Sequence, residues 1–191
     1  MPDEINNAYQ LGAGYAMMVA ATLLKNRPEA ALAFHNRGVS GNHLPALAQR
    51  WQADCLDLKP AVVSILIGVN DTVGCVRGNA QLSVDHFERD YRRLLESTRQ
   101  ALPDVQFVLC EPFALEVGVI TGEYIADLRR RQAVVPAIAE AFDAVFVPLQ
   151  QAFDDAAASN GDPAYWIYDG IHPTAPGHRL IADQWLEHVI G

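Results

Sequence analysis

Three short segments hold the residues that could do chemistry. Asn36-Arg37-Gly38-Val39-Ser40-Gly41, Ile67-Gly68-Val69-Asn70-Asp71 and Asp169-Gly170-Ile171-His172-Pro173 follow one another along the chain. The third can act as an acid/base unit. An imidazole takes up and returns protons near neutral pH. A carboxylate three positions before it, in a turn, can accept from the other ring nitrogen and fix the tautomer. Together the three segments can supply an oxyanion hole beside that acid/base pair. Two N–H donors aimed at one oxygen form an oxyanion hole, and loss of one such donor costs about 3 kcal/mol of transition-state stabilisation. Each segment alone also has a plainer reading. Gly38 permits a turn, Asn70-Asp71 caps a helix, and Asp169 with His172 forms a capping pair. The joint occurrence of all three, in this order, weighs against the plainer reading of all of them.

The elements that must position these groups alternate helix and strand. Helical patterns run from Gly12 to Leu24, from Leu44 to Leu58, from Ser83 as N-cap to Leu102, and from Tyr124 to Phe142, where Pro136 predicts a kink or a break. Gln150–Ala158 is a short helix, and Thr174 caps a last one in which Ile181, Trp185 and Val189 recur every fourth residue. Strand patterns occupy Ala31–Phe34, Ala61–Ile67, Val105–Cys110 and Ala144–Val147. Ala61–Ile67, apolar but for Ser64, reads as a central strand covered on both faces. Such alternation implies a parallel sheet between two helical layers, with active groups at the carboxyl ends of the strands. The loops Asp71–Leu82 and Phe113–Gly122 then shape the mouth of a substrate site.

Composition narrows the function further. A chain of 191 residues, half of them hydrophobic, is long enough for one domain with a single core, spanning 1–191. Its net charge of −9 argues against nucleic acid and anionic membranes as partners. The basic run Arg129-Arg130-Arg131 reads as a solvated helix face. Cys55, Cys75 and Cys110 fit neither a metal site nor a disulfide framework, and Cys110 reads as a small buried hydrophobe. A reducing cytoplasm is the simplest setting. The opening Met1-Pro2-Asp3-Glu4 is acidic where a signal peptide is basic. His35, His43, His86, His178 and His188 read as surface or structural residues, with no metal-ligand pattern. No G-x-G-x-x-G or G-x-x-x-x-G-K-[ST] segment follows a strand, which weighs against a nucleotide-binding domain.

With Arg50-Trp51, Lys59-Pro60 ahead of a buried strand, and Leu11-Gly12-Ala13-Gly14-Tyr15, the three segments resemble the SGNH, or GDSL-type, hydrolase family over nearly the whole chain. The likeness is strongest to its acetyl-xylan esterase branch. The resemblance implies a flavodoxin-like three-layer α/β/α fold and a serine ester hydrolase of small acyl esters, including O-acetyl groups on carbohydrates, with no cofactor. It makes His172 the general base and acid, Asp169 its orienter, and Gly38 and Asn70 the oxyanion donors. Asp71, Trp166 and Tyr168 are candidate substrate contacts, and Tyr165, Trp166 and Tyr168 offer faces for a sugar ring, although core packing is their plainer role. The family's serine, in a Gly-Asp-Ser block after the first strand, precedes the segment matching Leu11. The first serine of this chain is Ser40, a weak substitute nucleophile. The expectation is therefore a fold without its first strand, with strands 31–34 and 61–67 each left with an open edge. A misplaced start, a true truncation and strand donation by another chain, within a homo-oligomer for instance, all remain open. So does a catalytically inactive carbohydrate- or ester-binding relative.

Overall fold

A computed structural model describes residues 8–191 of the chain; the acidic opening Met1–Glu4 lies outside them. Helix α1 (Ala8–Leu11) turns at Gly12 into α2 (Tyr15–Asn26). Then come α3 (Leu44–Gln49) and α4 (Trp51–Asp54), strand β1 (Val62–Leu66) and helices α5 (Val69–Val76) and α6 (Val84–Ala101). Strand β2 (Gln106–Cys110), helix α7 (Gly122–Ala141) and strand β3 (Val145–Val147) follow. Helices α8 (Gln150–Asn160), α9 (Pro163–Trp166) and α10 (Ala175–Ile190) complete the chain. Among the described residues the strands form one parallel sheet in the order β1-β2-β3.

Helices cover both faces of the sheet, as the alternation requires. On β2 the pleat sends Phe107 and Leu109 to one side and Val108 and Cys110 to the other, and all four are buried. The first face packs against Leu44 and Trp51, against Phe87, Tyr91, Leu94 and Leu95 of α6, and against Val135 and Ile138 of α7. The second packs against Val19 and Leu23 of α2, Phe153 of α8, and Ile181 and Trp185 of α10. Cys110 is the buried small residue that its apolar context implied, and burial pushes its thiol up to about 12.

Several sequence expectations need correction. Residues 31–34 form no strand. Ala31 takes a left-handed backbone (φ 47°), which interrupts the extended run, and Leu32 and Phe34 pack on the α2/α10 cluster. Second, β1 lies at the end of the described sheet rather than in its middle. Among the described residues it pairs only with β2; burial alternates along it, and Val62 is 49% exposed. Third, the helix expected over 44–58 breaks at Arg50 (φ −108°, ψ 6°) into α3, α4 and a short 3₁₀ turn, although Leu44, Trp51 and Cys55 keep their buried stripe. Fourth, α7 runs unbroken through Pro136. The missing N–H removes one bond there, while buried Val135, Ile138 and Ala139 hold the turn against the sheet.

The layer under β1 contains a buried polar link. The indole N–H of Trp51 donates to Thr98 Oγ1 at 2.8 Å, and that hydroxyl donates to Leu94 O at 2.6 Å. Thr98→Val keeps the shape and orphans the indole N–H, so chemical denaturation should show a loss of about 1–3 kcal/mol with an unchanged m-value.

Candidate active site

The loop between α9 and α10 holds the acid/base segment in a closed turn. Ile167 and Pro173 form an antiparallel bridge, and Tyr168 N–H donates to His172 O at 3.2 Å. Thr174 caps α10 by accepting from Gly177 N–H. Inside the turn, Asp169 Oδ1 accepts from the N–H groups of Ile171 (3.1 Å) and His172 (2.9 Å). Its Oδ2 lies 2.7 Å from His172 Nδ1. An ionised carboxylate only accepts, so Nδ1 carries the hydrogen, and in the neutral ring Nε2 is the nitrogen with the lone pair. Nε2 makes no hydrogen bond among the described residues. Partial burial pushes the Asp169 carboxyl up. The His172 backbone N–H, the His172 ring and the Ile171 N–H outweigh that effect and hold it below the ordinary carboxylate value. The exposed Tyr168 ring stacks on the His172 ring, with centroids 5.7 Å apart at 17°.

The turn depends on Gly170. Its φ is +97°, and a Cβ there would lie 2.6 Å from Ile120 Cγ1 and 2.8 Å from Val117 O. The 113–120 loop thus abuts the Asp169 turn, and Leu115 N–H donates to Gly170 O at 3.0 Å. The other expected loop, 71–82, is instead mostly the body of α5 and a 3₁₀ turn ending at buried Leu82.

The donor segments meet through side chains. The Asn70 amide donates to Asn42 O at 3.1 Å and retains a second hydrogen. Arg50 Nε donates to Asn42 Oδ1 (2.9 Å) and its Nη1 to Arg37 O (2.8 Å), which braces the 36–42 turn. Asn36 Nδ2 donates to Leu11 O at 2.8 Å. The Gly38 N–H, expected to face an oxyanion, donates to Asn36 Oδ1 at 3.0 Å. Ser40 lies on the exposed outside of this turn and makes no hydrogen bond to His172 among the described residues.

A cavity of about 130 Å³ lies at the carboxyl ends of β1 and β2. Its wall includes Tyr15, Val69, Phe113, Ile171, Pro173 and His178. Val69, Ile171 and Pro173, neighbours of Asn70 and His172, thus face one space, while Asn70, His172 and Gly38 themselves are not among its lining residues. Gly68 lets β1 leave the sheet here: its φ is +128°, and a Cβ would lie 3.1 Å from Pro112. Asp71, expected as a substrate contact, is 1% exposed and accepts from Leu44 N–H through both oxygens (3.0 and 3.1 Å). Trp166 packs on the α2/α10 cluster and its indole donates to Asn160 Oδ1 at 3.3 Å. Among the described residues no three His, Cys, Asp or Glu side chains gather as a metal-binding group, and no helix is long and apolar enough to cross a membrane.

Two further residues acquire roles that the sequence did not assign. Arg131, read as part of a solvated run, is fully buried, whereas Arg129 and Arg130 are exposed. His178 joins α10 to α2: its Nδ1 accepts from Tyr15 N–H at 3.3 Å and its ring lies against Gly14. An i,i+4 Asp127–Arg131 spacing hints at the first; no local signal marks the second. Burial holds the His178 pKa below its usual 6.5. The folded protein thus resists a proton that the unfolded chain accepts, and stability falls as pH drops below about 6.5 until the folded group also titrates. Asn at 178 can still accept but cannot titrate, so the Tm advantage of wild type over His178→Asn should shrink between pH 7 and pH 5 in thermal melts.

Comparison with known proteins supplies the family. The model of the GDSL-like Lipase/Acylhydrolase family matches residues 4–180. An acetylxylan esterase of Geobacillus stearothermophilus is 30% identical over 187 residues, covering 94% of this chain and 82% of its own. A solved structure described as a GDSL-like lipase from Parabacteroides merdae superimposes with TM-score 0.91 at 38% identity, over 96% of this chain and 85% of the other. The solved Geobacillus acetylxylan esterase gives TM-score 0.83 at 31% identity, over 93% and 81%. Catalytic mutants of that esterase replace a serine, an aspartate or a histidine by alanine, the aspartate standing three positions before the histidine. The family match runs from residue 4 into α10, and the chain belongs to the GDSL-like lipase/acylhydrolase family, in the branch of the acetylxylan esterases.

Proposed function

We propose that this site serves serine-type hydrolysis of small acyl esters, with O-acetyl groups on carbohydrates as the substrate class. The observation that carries the reading is the His172–Asp169 pair. Asp169 Oδ2 holds Nδ1 at 2.7 Å, which leaves Nε2 as the base. The spacing equals that of the aspartate and histidine changed in the catalytic mutants of the Geobacillus esterase. In this scheme Nε2 takes the proton of an attacking hydroxyl, returns it to the departing alcohol, and then activates water against the acyl-enzyme. Asn70 stabilises the oxyanion through its second amide hydrogen. Gly38 joins it when its N–H exchanges Asn36 Oδ1 for the charged oxygen, a stronger acceptor than a neutral amide. Tyr168, stacked on His172 and exposed, presents its outer side to the alcohol part of the substrate.

The attacking serine has no counterpart among residues 1–39, so the test compares two polypeptides. Hydrolysis of p-nitrophenyl acetate is measured with the 191-residue chain and with a form extended at its N-terminus by a segment that carries a serine, taken from the preceding in-frame codons where they encode one. The serine-carrying form is expected to turn over. His172→Ala should reduce its kcat by about 10³-fold or more, and Asn70→Ala by about 10²–10³-fold. A folded, serine-carrying form without turnover would overturn the hydrolytic reading and leave a binding-only relative.

A further inference from the structure

The first turn of α5 is held by a buried ion pair on another helix. Arg131 of α7 is 0% exposed and Asp127, one turn earlier, 2%. The Arg131 Nε lies 2.9 Å from Asp127 Oδ2 and 2.9 Å from Thr72 Oγ1. Its Nη2 donates to Asp71 O at 3.4 Å and to Leu82 O. The guanidinium sits over the Phe87 ring, 5.3 Å from the centroid. Arg130 Nη2, at 2.7 Å, holds the other Asp127 oxygen. A charge pair this deep is a poor device for stability alone, because well-packed apolar residues of similar volume serve as well or better. What an apolar pair cannot supply is a planar fork that fixes the directions of several acceptors at once.

Those acceptors adjoin the oxyanion donor. Asp71 O and Thr72 Oγ1 belong to the two residues that follow Asn70, and Leu82 O closes the connection from α5 to α6. On the opposite side, Asp71 carboxylate and Asn70 amide hold Leu44 and Asn42, in the segment that follows Gly38. We infer that Arg131, paired with Asp127, is a positioning residue: it fixes the first turn of α5 so that the Asn70 amide and the Gly38 turn keep one relative geometry. This inference rests on the proposed role of Asn70. Arg131 itself touches no reacting atom; it acts through the backbone at 71 and 72.

Arg131→Met preserves length and packing while removing the fork. In the serine-carrying form it should lower kcat for p-nitrophenyl acetate about 10–100-fold with KM within about two-fold, as a displaced rather than deleted donor would. In the 191-residue chain labelled with ¹⁵N-asparagine, the Asn70 side-chain NH₂ signals, assigned through Asn70→Ala, should shift and exchange faster with solvent. If Arg131→Met does not fold, Thr72→Val removes one acceptor with the guanidinium in place and should move the same signals less. A folded Arg131→Met with a lower Tm but unchanged kcat and unchanged Asn70 signals overturns the inference and makes the pair purely structural. If Asn70→Ala leaves kcat intact, the hydrolytic role of Asn70 fails, while the spectrum still decides whether Arg131 holds that amide.

Discussion

Three consecutive residues at the start of α5 answer to three different parts of the molecule. Asn70 reaches the 36–42 turn, Asp71 the start of α3, and Thr72 the buried Arg131 of α7. Helical geometry spreads successive side chains by about 100°, so one turn can face three neighbours only if all three close around it. The exit of β1 through Gly68 supplies the room, because any side chain there would meet Pro112. If this junction loosens, the donor segments lose their fixed relation to each other and to the cavity beside them.

The acid/base segment is built on the opposite plan. Asp169 and His172 find each other within one turn, and the Asp169 carboxylate also gathers the N–H groups of Ile171 and His172. Such a unit is nearly self-sufficient; what it borrows is placement. The Ile167–Pro173 bridge closes it, and Val117 and Ile120 bear on Gly170 from behind. The small apolar cavity is lined by Val69 and Ile171, the chain neighbours of Asn70 and His172.

The sheet explains why the site stands at this edge. β2 is buried on both faces, and its carboxyl end leads to Glu111, whose Oε2 accepts from Leu149 and Gln150 N–H at 2.8 and 2.9 Å and so caps α8. β1 is fully buried on one face, where Val63 and Ile65 point to the α6/α7 layer; on the other Val62 is exposed, while Ser64 accepts from the Trp185 indole and Leu66 packs on the α2/α10 cluster. A run of apolar residues thus specifies a strand but not its neighbours. Among the described strands β1 has one neighbour, β2.

The amino-acid sequence by itself determined what short-range rules control. The α/β alternation, the buried β2, the Thr174 cap and the Asp169–His172 spacing are properties of neighbouring residues, and helix period, strand pleat and turn chemistry make them legible. The family likeness was equally legible, because its segments are contiguous. Only the tertiary structure decided that Arg131 is a buried strut and not a solvated charge, that Asp71 faces Leu44 N–H rather than the cavity, that His178 receives the start of α2, and that α7 survives Pro136. Each of those outcomes depends on a partner 27 to 163 positions away or on packing around a site. The cost of burying a charge or losing a backbone bond is set by what surrounds it, and a linear sequence does not contain that neighbourhood.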